Sequence, residues 1–520
     1  MSEPVIFRNR KFTILFPPCV STGLGVLLYV ICVCMYGFSG LVVTEYLACI
    51  AACWLPAVIG RISGRPFHPF ISWSIGFISF LAVFVQHSAD IYSFWPGYDF
   101  LLQAVFAFLA AACMYCLILR WKGGSMSPAG TMFFIIVATA GMAAVFELIE
   151  YYSDLYGFIA DPQRWRDVVY GSIDASYAAR LAGDTGAYVF TGHALRETIQ
   201  DIAISVTFSG MFCLTYAVNL FVKDGWTYAR FFSESYAYPA SHAPREKKML
   251  PGISAWKQDE PCGYVPAGTK FRRFIHSRGF IIWSPSVIMA CVGVICYIIR
   301  LSWAGWSWVT ALQMWGGILA CFAVPVLGLI CRRHFSPSLT YCISFFLLFS
   351  LFLERAVNIY GVFYRYDKVL HSFVGLICAG IVFILLLRWK GNRMNPVGVI
   401  CTIMLVTIGI GAIWEIFEYS TDFTGADPQR WYDVIYNSVD ASYAARIAGD
   451  AGAYIIQGNA LTDTMDDIGV TVIGAGFFCI AYIINLRIKG GAFFEKIFSE
   501  RRITRYNPAR RPDYISGADR

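Results

Sequence analysis

Twelve apolar runs, each close to the roughly 20 residues a helix needs to cross a hydrocarbon layer, constrain this chain more than any other feature. They fall at 17–36, 41–60, 69–89, 99–119, 128–150 and 199–222, and again at 280–299, 307–330, 338–358, 367–387, 396–418 and 464–486. No water is available in the bilayer to satisfy an open backbone, so such runs cross it as helices. The fold class is therefore all-α, a polytopic membrane protein with about 12 transmembrane helices. A content of 57% hydrophobic and 14% charged residues excludes an ordinary soluble enzyme. The net charge of +7 is carried in short clusters between the runs, where it acts as a topology signal, so nucleic acid is excluded as a partner. The 17 cysteines lie almost all inside the runs, as small buried hydrophobes rather than a disulfide framework, and the Cys113/Cys116 spacing is read the same way.

The runs form two sets of six. Tyr98-Asp-Phe-Leu-Leu-Gln103, Phe146-Glu-Leu-Ile-Glu150 and Leu195-Arg-Glu-Thr-Ile-Gln-Asp201 return in the same order as Tyr366-Asp-Lys-Val-Leu-His371, Trp414-Glu-Ile-Phe-Glu418 and Leu461-Thr-Asp-Thr-Met-Asp-Asp467. The expected organisation is a first six-helix repeat at 1–222, a cytoplasmic basic linker at 223–277, a second repeat at 278–490 and a cytoplasmic basic tail at 491–520. Six is even, so both copies enter the membrane in the same sense and form a parallel repeat. Arg8, Arg10 and Lys11, Arg61 and Arg65, Arg120 and Lys122, and their second-half counterparts Arg272, Arg273, Arg332, Arg333, Arg388 and Lys390 alternate onto one side. The positive-inside rule makes that side cytoplasmic, with both termini.

Two long loops are then outside. Asp161–Tyr188 and Asp427–Tyr454 share 22 of 28 positions, whereas Tyr98–Lys122 and Tyr366–Lys390 share 9 of 25. Connecting loops ordinarily vary more than the elements they join. These two have diverged less, which fits either a substrate-handling role, a partner protein bound at the loops, or loops packed on one another.

With that topology the acids converge on one face. Asp367 and His371 open one helix, Glu415 and Glu418 close the next, and Asp463 and Asp467 open the last. Spacings of three or four residues put each pair on one side of its helix. Carboxylates with an imidazole on neighbouring helices are how helical bundles build metal sites. Oxygen-rich ligation suits Mg, Ca or Mn, and the histidine admits Fe or Zn. The expected metal ligands are Asp367, His371, Glu415, Glu418, Asp463 and Asp467, with Glu415, Glu418 and His371 as catalytic groups if metal-activated water does hydrolytic work. A proton relay would use the same groups, and Asp463 and Asp467 also suit a helix N-terminus electrostatically. The first copy keeps Asp99, Glu147, Glu150, Glu197 and Asp201 but has Gln103 in place of His371, which makes the second copy the competent one. His87 and His193 read as incidental polar residues.

The run Tyr366-Asp-x-x-x-His371, then Trp414-Glu-x-x-Glu418, then Asp463-Thr-x-x-Asp467 with Gly474-Ala475 resembles the YjdF-type bacterial inner-membrane proteins. The Asp-Lys-x-x-His portion is more loosely similar to VanZ-like proteins. The resemblance implies a small multi-helix fold in the bacterial inner membrane, without an assigned activity. Three functions are consistent with these residues: a metal-assisted enzyme acting on a lipid or lipid-linked substrate, a transporter of two parallel halves, and a scaffold that binds a partner through its outer loops.

Overall fold

The computed structural model describes residues 10–38, 40–62, 66–89, 91, 95, 97–120, 126–156, 193–223, 225–232, 278–330, 337–357, 359, 363, 366–390, 396–424, 459–489 and 494. Both long loops, most of the linker at 223–277 and most of the basic tail lie outside these residues. Every regular element described is helical. The first half contributes α1 (Arg10–Tyr36), α2 (Gly40–Ile62), α3 (Pro69–Ser79), α4 (Tyr98–Arg120), α5 (Pro128–Tyr156), α6 (His193–Lys223) and the short α7 (Trp226–Phe232). The second contributes α8 (Arg278–Ala304), α9 (Trp308–Ala320), α10 (Ala323–Ile330), α11 (Pro337–Leu347), α12 (Tyr366–Lys390), α13 (Pro396–Thr424) and α14 (Asn459–Lys489).

Among the described residues ten helical stretches are long and apolar enough to cross a membrane: α1, α2, α3 together with its continuation to Ala89, α4 to α6, α8, α12, α13 and α14. The run expected at 307–330 is instead two helices, α9 and α10, joined at Cys321 and Phe322. Pro325 explains the break, because it has no N–H to offer the Cys321 carbonyl one turn back. That carbonyl accepts from the Ser286 hydroxyl at 2.5 Å instead. The run expected at 338–358 is α11, and its uninterrupted apolar stretch is the shorter Thr340–Leu353.

The helices form two compact units. One holds α1 to α7 with α12, α13 and α14; the other holds α8 to α11. A local device recurs inside both. α3 continues through a π-helical turn, Phe80–Val85, and α11 through Leu348–Leu353, at matching places in the two copies. Each turn buries a phenylalanine completely, Phe84 or Phe352. Each ring fills the space left by a glycine, Gly25 or Gly293, where a Cβ would collide with it. In the first unit the Phe84 carbonyl, displaced by the wide turn, accepts from the Tyr46 hydroxyl at 3.0 Å and from Ser88.

The centre of the first unit is a pseudo-two-fold contact between α5 and α13. A Cβ on Gly141 would lie well inside 3.0 Å of the Leu405 carbonyl oxygen, and one on Gly409 equally close to that of Val137. Gly141 and Gly409 are equivalent residues, as are Val137 and Leu405, so the contact is reciprocal. Small residues let membrane helices meet backbone to backbone where no hydrophobic force draws them together. Along the seam Ala144, Ala412, Ile408, Ile202 and Ile468 pack as one buried cluster. Tyr151, Ile199 and Met465 follow, closed over by Leu148 and Ile416.

At the start of α3, His68 is the N-cap and Pro69 takes the first helical position. The His68 ring nitrogen Nδ1 accepts from the Phe70 N–H at 3.2 Å, which requires a neutral ring. Burial pushes its pKa down to about 4. Below about 6.5, the usual histidine value, the unfolded chain takes up a proton that the folded state refuses, so stability falls as the pH drops from there toward 4. Thermal unfolding in detergent is expected to show that loss in the wild type and a smaller one in His68→Asn, which keeps a capping side chain without the titrating ring.

Candidate functional site

His371 lies in the second turn of α12, one turn after Asp367. Its Nε2 is 3.7 Å from Asp367 Oδ1, and its Nδ1 is 3.7 Å from Glu415 Oε1 on α13. One imidazole thus stands between carboxylates from two helices. From the third helix, α14, Asp467 reaches the same volume and its Oδ1 accepts from Lys368 Nζ at 3.0 Å. The Thr471 hydroxyl, one turn further along α14, donates to the His371 carbonyl at 3.4 Å. All four core groups are sunk in the bundle, with Asp467 1%, Glu415 4%, His371 6% and Asp367 9% exposed. Charges held there are costly unless paired, so their convergence is a constraint the fold satisfies deliberately.

Two glycines make the convergence geometrically possible. A Cβ on Gly375 of α12 would strike the Thr471 carbonyl oxygen of α14, and one on Gly474 would strike that of Ser372. The two backbones are therefore in contact about one turn below His371. The first copy has Ala107 and Phe208 at these places, which cannot support the same approach.

Ligand atoms of Asp367, His371 and Asp467 lie within 4.8 Å of one another, and so do those of His371, Glu415 and Glu418. The expected residues Asp367, His371, Glu415, Glu418 and Asp467 are thus brought together. Asp463 is in the first turns of α14, but its side chain lies outside the described residues. Glu418 is held aside by the Trp414 indole, which donates to its Oε1 at 2.6 Å. Glu415 and Glu418 do not end their helix, because α13 runs on to Thr424. They sit inside it, more than one turn before its C-terminal end.

Sequence reasoning passed over two features. Lys368 was not counted as a site residue, although it stands beside Asp367, and it is the basic partner of Asp467. His87 is not incidental: its Nε2 is 2.5 Å from Glu45 Oε2 on α2. That pair could have been sought from Glu45, an acid inside an apolar run.

In the first copy the equivalent side chains are buried too. Gln103 is 6%, Glu147 5% and Asp201 6% exposed, with Thr198 buried beside them as Thr464 is in the second copy. Phe100, exposed on the helix surface, takes the place of Lys368.

A multi-pass helical membrane protein with a buried carboxylate and imidazole cluster is the class these features define. The chain belongs to the DUF2238 family, described as predicted membrane proteins, whose profile matches it twice, over residues 20–163 and 287–487. The two matches fall on the two copies, as a tandem repeat requires. No curated protein and no solved structure matches the chain.

Proposed function

We propose that the second copy binds a divalent cation through Asp367, His371 and Asp467, and that the protein is a membrane enzyme using this centre on a lipid or lipid-linked substrate. The observation that carries the reading is the imidazole held between Asp367 and Glu415 beside a third carboxylate, Asp467. A metal-bound histidine ordinarily gives its second ring nitrogen to a carboxylate that fixes its orientation. Glu415 would do that for Nδ1 while Nε2 faces the ion. A bound ion would act as a Lewis acid and lower the pKa of a water. Glu418, whose Oε1 accepts from the Trp414 indole, would then be the carboxylate placed to exchange a proton. Metal content of the purified protein tests this reading.

Lys368 modulates such a site. Its ammonium occupies Asp467 Oδ1, so a cation must share that carboxylate with it. Lys368→Met is expected to tighten divalent binding by roughly tenfold, about 1.4 kcal/mol, while lowering the stability of the metal-free protein. Isothermal titration and melting of the same variant check both halves.

The same proposal includes the membrane frame. Twelve spans in two parallel repeats, a cytoplasmic linker between them and cytoplasmic termini in a bacterial inner membrane put the His371 end of the helices outside, where lipid-linked precursors are processed. The similarity of the repeated motifs to YjdF-type proteins supports that location. Ser172→Cys and Ser438→Cys, in the two long loops, are then expected to react with an impermeant maleimide on intact cells. Reaction only after permeabilisation would put the site on the cytoplasmic side.

A further inference from the structure

The first copy is not simply a worn version of the second. Glu147, 5% exposed, has its Oε1 buried without a hydrogen-bond partner. Its other polar contact is with Thr198, and the charges acting on it are Asp201, Glu150 and Asp99, all carboxylates. They come from α4, α5 and α6, the counterparts of the helices that carry the His371 cluster. Gln103, buried one turn beyond Asp99 on α4, adds an amide oxygen where the second copy has the imidazole. Among the described residues the donor set around Glu147 is thus oxygen. A buried carboxylate oxygen with no donor is expensive, and an oxygen-only set selects hard cations over zinc or iron.

We propose that the first copy is a separate cation site, taking a hard divalent ion of the calcium, magnesium or manganese class through Glu147, Asp201, Asp99 and Glu150, with Gln103 and Thr198 as neutral oxygen donors. The chain would then hold two cation sites of different selectivity, one on each side of the apolar seam formed by Leu148, Ile416, Ile199 and Met465. The duplicated module has kept its acids in both copies and changed the neutral and basic groups around them: histidine and lysine in one, glutamine and phenylalanine in the other. Among the described residues these carboxylates do not meet the 4.8 Å grouping found around His371. Binding therefore requires Asp99, in the first turn of α4, and Glu150, within α5, to turn inward onto Glu147.

The inference does not depend on the second-copy reading, and one experiment separates them. Full-length His371→Gln protein in detergent, near neutral pH, is titrated with Mn2+ and read by electron paramagnetic resonance, with Ca2+ as competitor. Mn2+ binding that persists in this variant and is displaced by Ca2+ is the expected result. Adding Glu147→Gln, close to isosteric, should weaken it at least tenfold, and Asp201→Asn should do the same should the first double variant fail to fold. If His371→Gln alone removes all Mn2+ binding, or Glu147→Gln leaves the remaining affinity unchanged, the first copy is not a metal site. Loss of Mn2+ on Glu147→Gln in the wild-type background, with no effect of His371→Gln, would instead remove the second-copy site and keep this one.

Discussion

Gly409→Ala is expected to lower the stability of the first unit by about 3 kcal/mol, the upper part of the usual range for overpacking a tight contact. The new methyl has nowhere to go: the Val137 carbonyl oxygen already occupies its place, and Gly141 lies just beyond. Backbone, unlike a flexible side chain, cannot swing away, so α5 and α13 have to separate along the seam that carries Ala144, Ala412, Ile408 and Ile468. Gly141→Ala should cost a similar amount by symmetry. The double variant should cost clearly less than the sum, because the first methyl has already opened the contact for the second. Denaturation in detergent of the two singles and the double gives the coupling directly. Simple additivity would show that the helices do not meet at this axis.

His371→Gln is expected to remove divalent binding from the second copy altogether while leaving the fold intact. The substitution reproduces the first copy, where Gln103 stands at this position and is just as buried. The side chain keeps its size and polarity, so packing against α13 and α14 survives. What disappears is the nitrogen ligand, and with it the link that lets Asp367 and Glu415 face one group from opposite sides. A change in melting temperature without a change in metal content would mean that His371 serves packing alone. Gln103→His, by contrast, should create transition-metal affinity in the first copy only weakly, because Ala107 and Phe208 prevent the close helix approach that Gly375 and Gly474 provide.

Much of this arrangement is legible in the residues. Three acid motifs at spacings of three and four, each beside an apolar run and each repeated, locate the starts of α12 and α14 and predict that their acids converge with those of α13. Glu415 and His371 meet as that pattern requires. Helix length is less legible: acids inside a span read as its boundary, so Glu418 reads as the end of a helix that in fact continues to Thr424. The break between α9 and α10 at Cys321 was visible only as Pro325, and a proline in a membrane helix is often accommodated without a break; Pro56 inside α2 is such a case. The π-helical turns left no sequence signal, since Phe80–Val85 and Leu348–Leu353 share little beyond Phe84 and Phe352. Lys368 escaped because a lysine beside a helix start reads as a topology signal, and only the three-dimensional register shows it reaching Asp467.

The most direct test of the central claim is the metal content of the purified full-length protein, measured by mass spectrometry after gel filtration in detergent and compared with His371→Gln prepared in parallel. Reloading chelated protein with Zn2+, Mn2+ or Fe2+ before filtration guards against loss during purification. The cluster of Asp367, His371, Glu415 and Asp467 predicts a tightly held divalent ion in the wild type and one fewer in the variant. Equal metal in the two proteins, or none in either after reloading, would contradict it.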